Sequence, residues 1–80
     1  MIRTILRIDG MACPMCEAHV NDVIRDRFPV RAVSSSRRKG VTEILSDQPL
    51  DERFLRETVA SIGYTPISLI VEPYEKKRRF

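Results

Sequence analysis

Residues 2–28, "IRTILRIDGMACPMCEAHVNDVIRDRF", change their hydrophobic period once, and that change decides the fold. Over residues 2–8, Ile2, Thr4, Leu6 and Ile8 alternate with Arg3, Ile5 and Arg7, the two-residue period of a half-buried strand. Asp9 and Gly10 end it. From Pro14 onward Cys16, Val20, Val23, Ile24 and Phe28 recur at helical spacing, while Glu17, Asn21, Asp22, Arg25 and Asp26 turn outward. Pro14 suits a first helical turn, where its missing N–H would have no partner anyway, and Pro29 closes the helix. Both cysteines and the only histidine fall at the junction of these two elements, within residues 10–19.

Working outward, residues 30–36 and 41–46 read as two strands joined by "RRKG", in which Gly40 can take a positive φ. Residues 50–62 form a second amphipathic helix with Leu50, Phe54, Leu55, Val59 and Ile62 on its apolar stripe. Asp51 and Glu52 stand favourably against the dipole of its first turn, and Gly63 is a natural cap. Residues 65–72, "TPISLIVE", are rich in β-branched side chains and read as a last strand. The order strand, helix, strand, strand, helix, strand implies an α+β, ferredoxin-like plan, a four-stranded antiparallel sheet with two helices on one face. In its usual strand order, 4-1-3-2, strands two and four are the edges. Pro66 is then tolerated, and the serines and arginines of "VSSSRR" blunt the opposite edge. Strand direction puts the cysteine loop, the "RRKG" turn and Gly63-Tyr64 at one end.

Composition bounds the function. Eighty residues make one small domain, and no apolar run approaches the length needed to cross a bilayer. Arginines interrupt the apolar stretch of "MIRTILRIDG", so it does not read as a signal peptide, and the expected compartment is the cytosol. The net charge of +3 resides in the tail "EKKRRF", with four basic residues and one acidic; the other 74 residues balance. The second basic concentration is Arg31, Arg37, Arg38 and Lys39, inside a stretch from residue 27 to 42 that holds no acidic side chain.

Cys13 and Cys16 form a CxxC where a loop enters a helix. Unpaired backbone N–H groups and the positive end of the helix dipole favour the thiolate there, which is both nucleophile and metal ligand. Two thiolates fall short of the tetrahedral shell that zinc prefers and suit soft Cu(I). A thiol–disulfide couple uses the same pair.

"GMACPMC" after a strand and before an amphipathic helix, with "GY" after the second helix, is similar to the heavy-metal-associated domain of copper metallochaperones and of metal-transporting P-type ATPases. The resemblance runs through nearly the whole chain. It implies residues 1–73 as that domain and 74–80 as a basic C-terminal tail, with Cys13 and Cys16 binding Cu(I) in near-linear geometry. The metal would pass to a P-type ATPase, or to its soluble metal-binding domain, by thiolate exchange through a shared three-coordinate intermediate. Met11 would pack inward beneath the loop and Tyr64 would stand near the metal. The chain would be a monomer, or a dimer bridged by the metal, and not an enzyme. Related domains with the same motif handle zinc, cadmium or mercury with added acidic or thiol ligands, and this chain has no further cysteine. Its second strand is also less apolar than the family's.

The remaining candidates have ordinary readings beside sharper ones. His19, three residues beyond Cys16, reads as a solvated surface side chain more than as a third ligand. Met15 reads as an exposed apolar contact at a docking face, with a thioether ligand as the alternative. Arg37, Arg38 and Lys39 are either a polar turn or a patch that steers an acidic partner. Nucleic-acid binding is disfavoured because no aromatic residue falls in the central strands. A closed zinc module is disfavoured because the cysteines and His19 supply too few ligands.

Overall fold

The structure, a computed structural model, describes residues 1–74; the expected basic tail, from residue 75 on, lies outside the described residues. Strand β1 (Ile2–Asp9) leads into helix α1 (Pro14–Arg27). Strands β2 (Ala32–Ser36) and β3 (Val41–Ser46) form a hairpin, and helix α2 (Glu52–Ser61) precedes β4 (Thr65–Pro73). All pairings are antiparallel in the order β2-β3-β1-β4, so β2 and β4 are the edges, as the sequence implies. The fold is the ferredoxin-like one. Among the described residues no helix is long and apolar enough to cross a membrane.

The two periods of the opening stretch meet in the core. Leu6 and Ile8 of β1, Ile44 of β3 and Val33 of β2 face Val20 and Ile24 of α1 and Leu55 and Val59 of α2. Each such aliphatic side chain, fully buried, contributes about 1.5–3 kcal/mol. Phe28 closes the lower end and meets Phe54 at 5.0 Å between ring centroids. Phe54 nevertheless stays 41% exposed, and Thr58, absent from the predicted stripe, takes a buried position on α2 instead.

Two predicted element starts move by two residues. The strand expected from residue 30 begins at Ala32, because the Val30 N–H turns back to the Phe28 carbonyl at 3.0 Å; the Arg31 N–H first reaches Leu45, at 2.7 Å. The helix expected from Leu50 begins at Glu52. Asp51 is its cap, with a carboxylate oxygen accepting the Phe54 N–H at 3.2 Å.

The weakly apolar second strand is held by polar contacts in place of a full apolar face. The Ser35 hydroxyl donates to Oδ1 of Asn21 on α1 at 2.6 Å and lies 2.9 Å from the Thr42 hydroxyl. At the opposite edge the ladder between β1 and β4 slips by one residue: Arg7 stands opposite Ser68 and Ile8 opposite Pro66. That irregularity takes up the proline, which has no N–H for a regular ladder.

Candidate functional site

Cys13 is the N-cap of α1, in extended conformation, and its side chain makes no capping hydrogen bond. Its carbonyl does the local work, accepting the Cys16 N–H at 3.0 Å and the Glu17 N–H at 3.3 Å. The sulfur is left free for other chemistry and is exposed, while Cys16, one turn later, is half-buried. The two sulfurs stand 3.3 Å apart as free thiols.

The end of α2 brings a third side chain to this place. Gly63, at φ +95°, lets the Tyr64 N–H return to the Val59 carbonyl at 3.4 Å and the Gly63 N–H to Ala60 at 3.1 Å. This reversal, the Schellman motif, sends Tyr64 back over the cysteine loop. Gly10, at φ +108°, accepts its ring: a Cβ there would lie 3.2 Å from Cδ1 of Tyr64. Tyr64 therefore stands against the pair, as does the loop backbone.

These neighbours act on Cys16. The Tyr64 hydroxyl is the largest influence that lowers its pKa to about 7; the Ala12 N–H, the Cys13 thiol and the Cys13 N–H add to it, and burial opposes it. Tyr64 is shifted upward in turn, first by the same contact, then by burial and by the charge of the thiolates. Cys16 is thus partly ionised near neutral pH, and its thiolate is competent both to hold a soft metal and to exchange with another thiol.

Met11 is 7% exposed and belongs to the core beneath the loop, whereas Met15, between the cysteines, is 80% exposed. His19 is exposed on α1, and among the described residues no three His, Cys, Asp or Glu side chains gather to hold a metal ion. The β2–β3 turn reaches the same end, where the Ile8 N–H donates to the Gly40 carbonyl at 2.8 Å. Its basic residues, Arg37, Arg38 and Lys39, are all exposed. Arg37 is engaged with Glu17 of α1: its backbone N–H donates to Oε2 at 2.6 Å and its guanidinium lies 3.5 Å from Oε1. Sequence reasoning turned Glu17 outward and missed this contact. A signal was present, since the stretch from residue 27 to 42 holds basic side chains and no acid, so their counter-charge must come from outside it.

No family model matches the sequence, and no curated protein matches it. Solved structures do match its fold. The CopZ metallochaperone aligns at a TM-score of 0.73 and 18% identity, over 81% of this chain and 98% of its own. A copper binding domain from HMA7, a P-type ATPase, aligns at 0.73 and 16%, over 91% and 96%. The fold is that of the heavy-metal-associated domains. The N-terminal domain of ZntA in its Zn(II) form shares it equally, at 0.73 and 19% over 94% of this chain and 97% of that domain. Identities this low carry the fold and nothing finer, so the metal is argued from the site.

Proposed function

We propose that the chain is a carrier of Cu(I), which it holds on the thiolates of Cys13 and Cys16 and hands to a metal-transporting P-type ATPase or its soluble metal-binding domain. The observation that carries this reading is the pair of free sulfurs at 3.3 Å on an exposed helix start, with no third ligand gathered to them among the described residues. Zinc is best held by about four donors, whereas Cu(I) favours sulfur and accepts few. The low pKa of Cys16 helps, because fewer protons must leave when metal binds near neutral pH.

Transfer proceeds by ligand exchange without a change of oxidation state. A thiolate of the partner bonds to the metal while one bond to the chain is still in place. The bond to the more exposed sulfur, Cys13, breaks first, and a second partner thiolate then displaces Cys16, so that both chain thiolates are released and the metal leaves on two partner sulfurs. Met15 supplies an apolar contact beside the metal, and Arg38 and Lys39 meet an acidic rim on the partner. The carrier works as a monomer in the cytosol, where thiols stay reduced. The fold it shares with a metallochaperone and with an ATPase copper domain supports this reading.

Mixing the Cu(I)-loaded chain with the soluble metal-binding domain of a copper-transporting ATPase, then separating the two and assaying copper in each, tests transfer. Exchange in both directions, faster than loss of copper to a dilute chelator, supports the carrier. Exchange no faster than that loss contradicts it. The sulfur contact also favours a second reading, thiol–disulfide exchange; disulfide transfer to a test dithiol with no retention of copper would establish that one instead.

A further inference from the structure

Glu17 is the carboxylate nearest in sequence to Cys16 and, equally with Asp9, to Cys13. It follows Cys16 directly and stands four residues after Cys13, the N-cap of the same helix. A carboxylate oxygen is a competent zinc ligand, so the direction of this one matters. It is drawn to the β2–β3 turn, where Oε2 accepts the Arg37 N–H at 2.6 Å and Oε1 faces the Arg37 guanidinium at 3.5 Å. The Glu17 side chain is only 23% exposed. One turn further along α1, Asn21 is tied to the same hairpin through the Ser35 hydroxyl at 2.6 Å. The contact thus belongs to a continuous polar seam between helix and hairpin.

We infer that Arg37 is a specificity-determining residue: by clamping Glu17 to the hairpin it withholds the nearest carboxylate of α1 from the Cys13–Cys16 pair and disfavours Zn(II) against Cu(I). The inference rests on the reading of the pair as a metal site. A third, anionic oxygen donor would bring the site toward the shell and the charge a divalent ion needs, while adding little for a monovalent ion satisfied by sulfur. The clamp uses a backbone N–H as well as a side chain, so truncating the side chain leaves its shorter contact in place.

Arg37→Pro removes both contacts. The residue opens the turn after β2, where the fixed φ of proline is favoured, and Ser36 before it is already in extended strand, as proline requires. In competition with a chromogenic chelator, Arg37→Pro is expected to bind Zn(II) roughly tenfold more tightly than the wild type, with Cu(I) affinity held within about threefold. Adding Glu17→Ala to Arg37→Pro returns Zn(II) affinity to the wild-type value, and Glu17→Ala alone leaves it unchanged. A folded Arg37→Pro with unchanged Zn(II) affinity overturns the inference, as does a gain that survives Glu17→Ala. The wild type gives a readout free of any substitution: the carboxyl carbon resonance of Glu17 stays in place when Zn(II) is added. A shift of that resonance to a metal-bound position overturns the inference even if Arg37→Pro does not fold. Failure of the wild type to bind Cu(I) would defeat the carrier reading and leave this Zn(II) comparison standing.

Discussion

Gly10 and Tyr64 meet beside the cysteine loop so closely that a methyl would fit only if the ring gave way: a Cβ on Gly10 would stand 3.2 Å from Cδ1 of the ring. The backbone at Gly10 is also at φ +108°, a region side chains rarely adopt. Gly10→Ala is therefore expected to cost about 1–3 kcal/mol of stability in urea denaturation. It should also push Tyr64 away from Cys16, so that the thiolate absorbance of the reduced protein develops at higher pH than in the wild type. Unchanged stability together with an unchanged thiol titration would show that the glycine does not position the ring.

Tyr64→Phe isolates the hydroxyl. Cys16 is an acid whose pKa is lower in the folded chain, about 7, than its ordinary value of 9.0. The stability linked to its ionisation is therefore fully present above the ordinary value and lost as pH falls through about 7. The melting temperature of the reduced wild type, taken relative to Cys16→Ser, should decline across that window. In Tyr64→Phe the window narrows and the thiol midpoint rises, because the largest influence on Cys16 is gone. A midpoint unmoved by Tyr64→Phe would assign the shift to the Cys13 thiol and to the Ala12 and Cys13 backbone.

The two methionines near the cysteines should separate stability from docking. Met11 is buried in the core, so Met11→Ala is expected to lose about 2–4 kcal/mol in denaturant unfolding. Met15 is exposed, so Met15→Ala should stay within about 0.5 kcal/mol of the wild type. The same Met15→Ala should slow copper transfer to an ATPase domain without weakening Cu(I) binding. Weakened binding would instead make the thioether a ligand.

Much of this was legible in the chain because the core is patterned with a clean period. Leu6, Ile8, Val20, Ile24, Leu55 and Val59 were placed by alternation or by helical spacing, and they are the residues the sheet and helices bury. Gly63 and Gly40 announced turns that do take positive φ. What periodicity could not show is polar and long-range. Asp51 caps α2 with its side chain, Ser35 joins Asn21 and Thr42, and Arg37 holds Glu17 across 20 positions of sequence. Each contact depends on where another element lies. The contact between Gly10 and Tyr64 is of the same kind: the glycine was read as the end of a strand, and its function as the seat of a ring emerges only when α2 folds back.

The central claim is that Cys13 and Cys16 together bind Cu(I). An anaerobic titration of the fully reduced protein with Cu(I), against a competing chromogenic chelator and in the presence of excess Zn(II), tests it directly. The account predicts one tightly held Cu(I) per chain, not displaced by zinc, and loss of tight binding in Cys13→Ser and in Cys16→Ser while both variants stay folded. Copper left with the chelator by the wild type, or tight binding kept by either single variant, would contradict it.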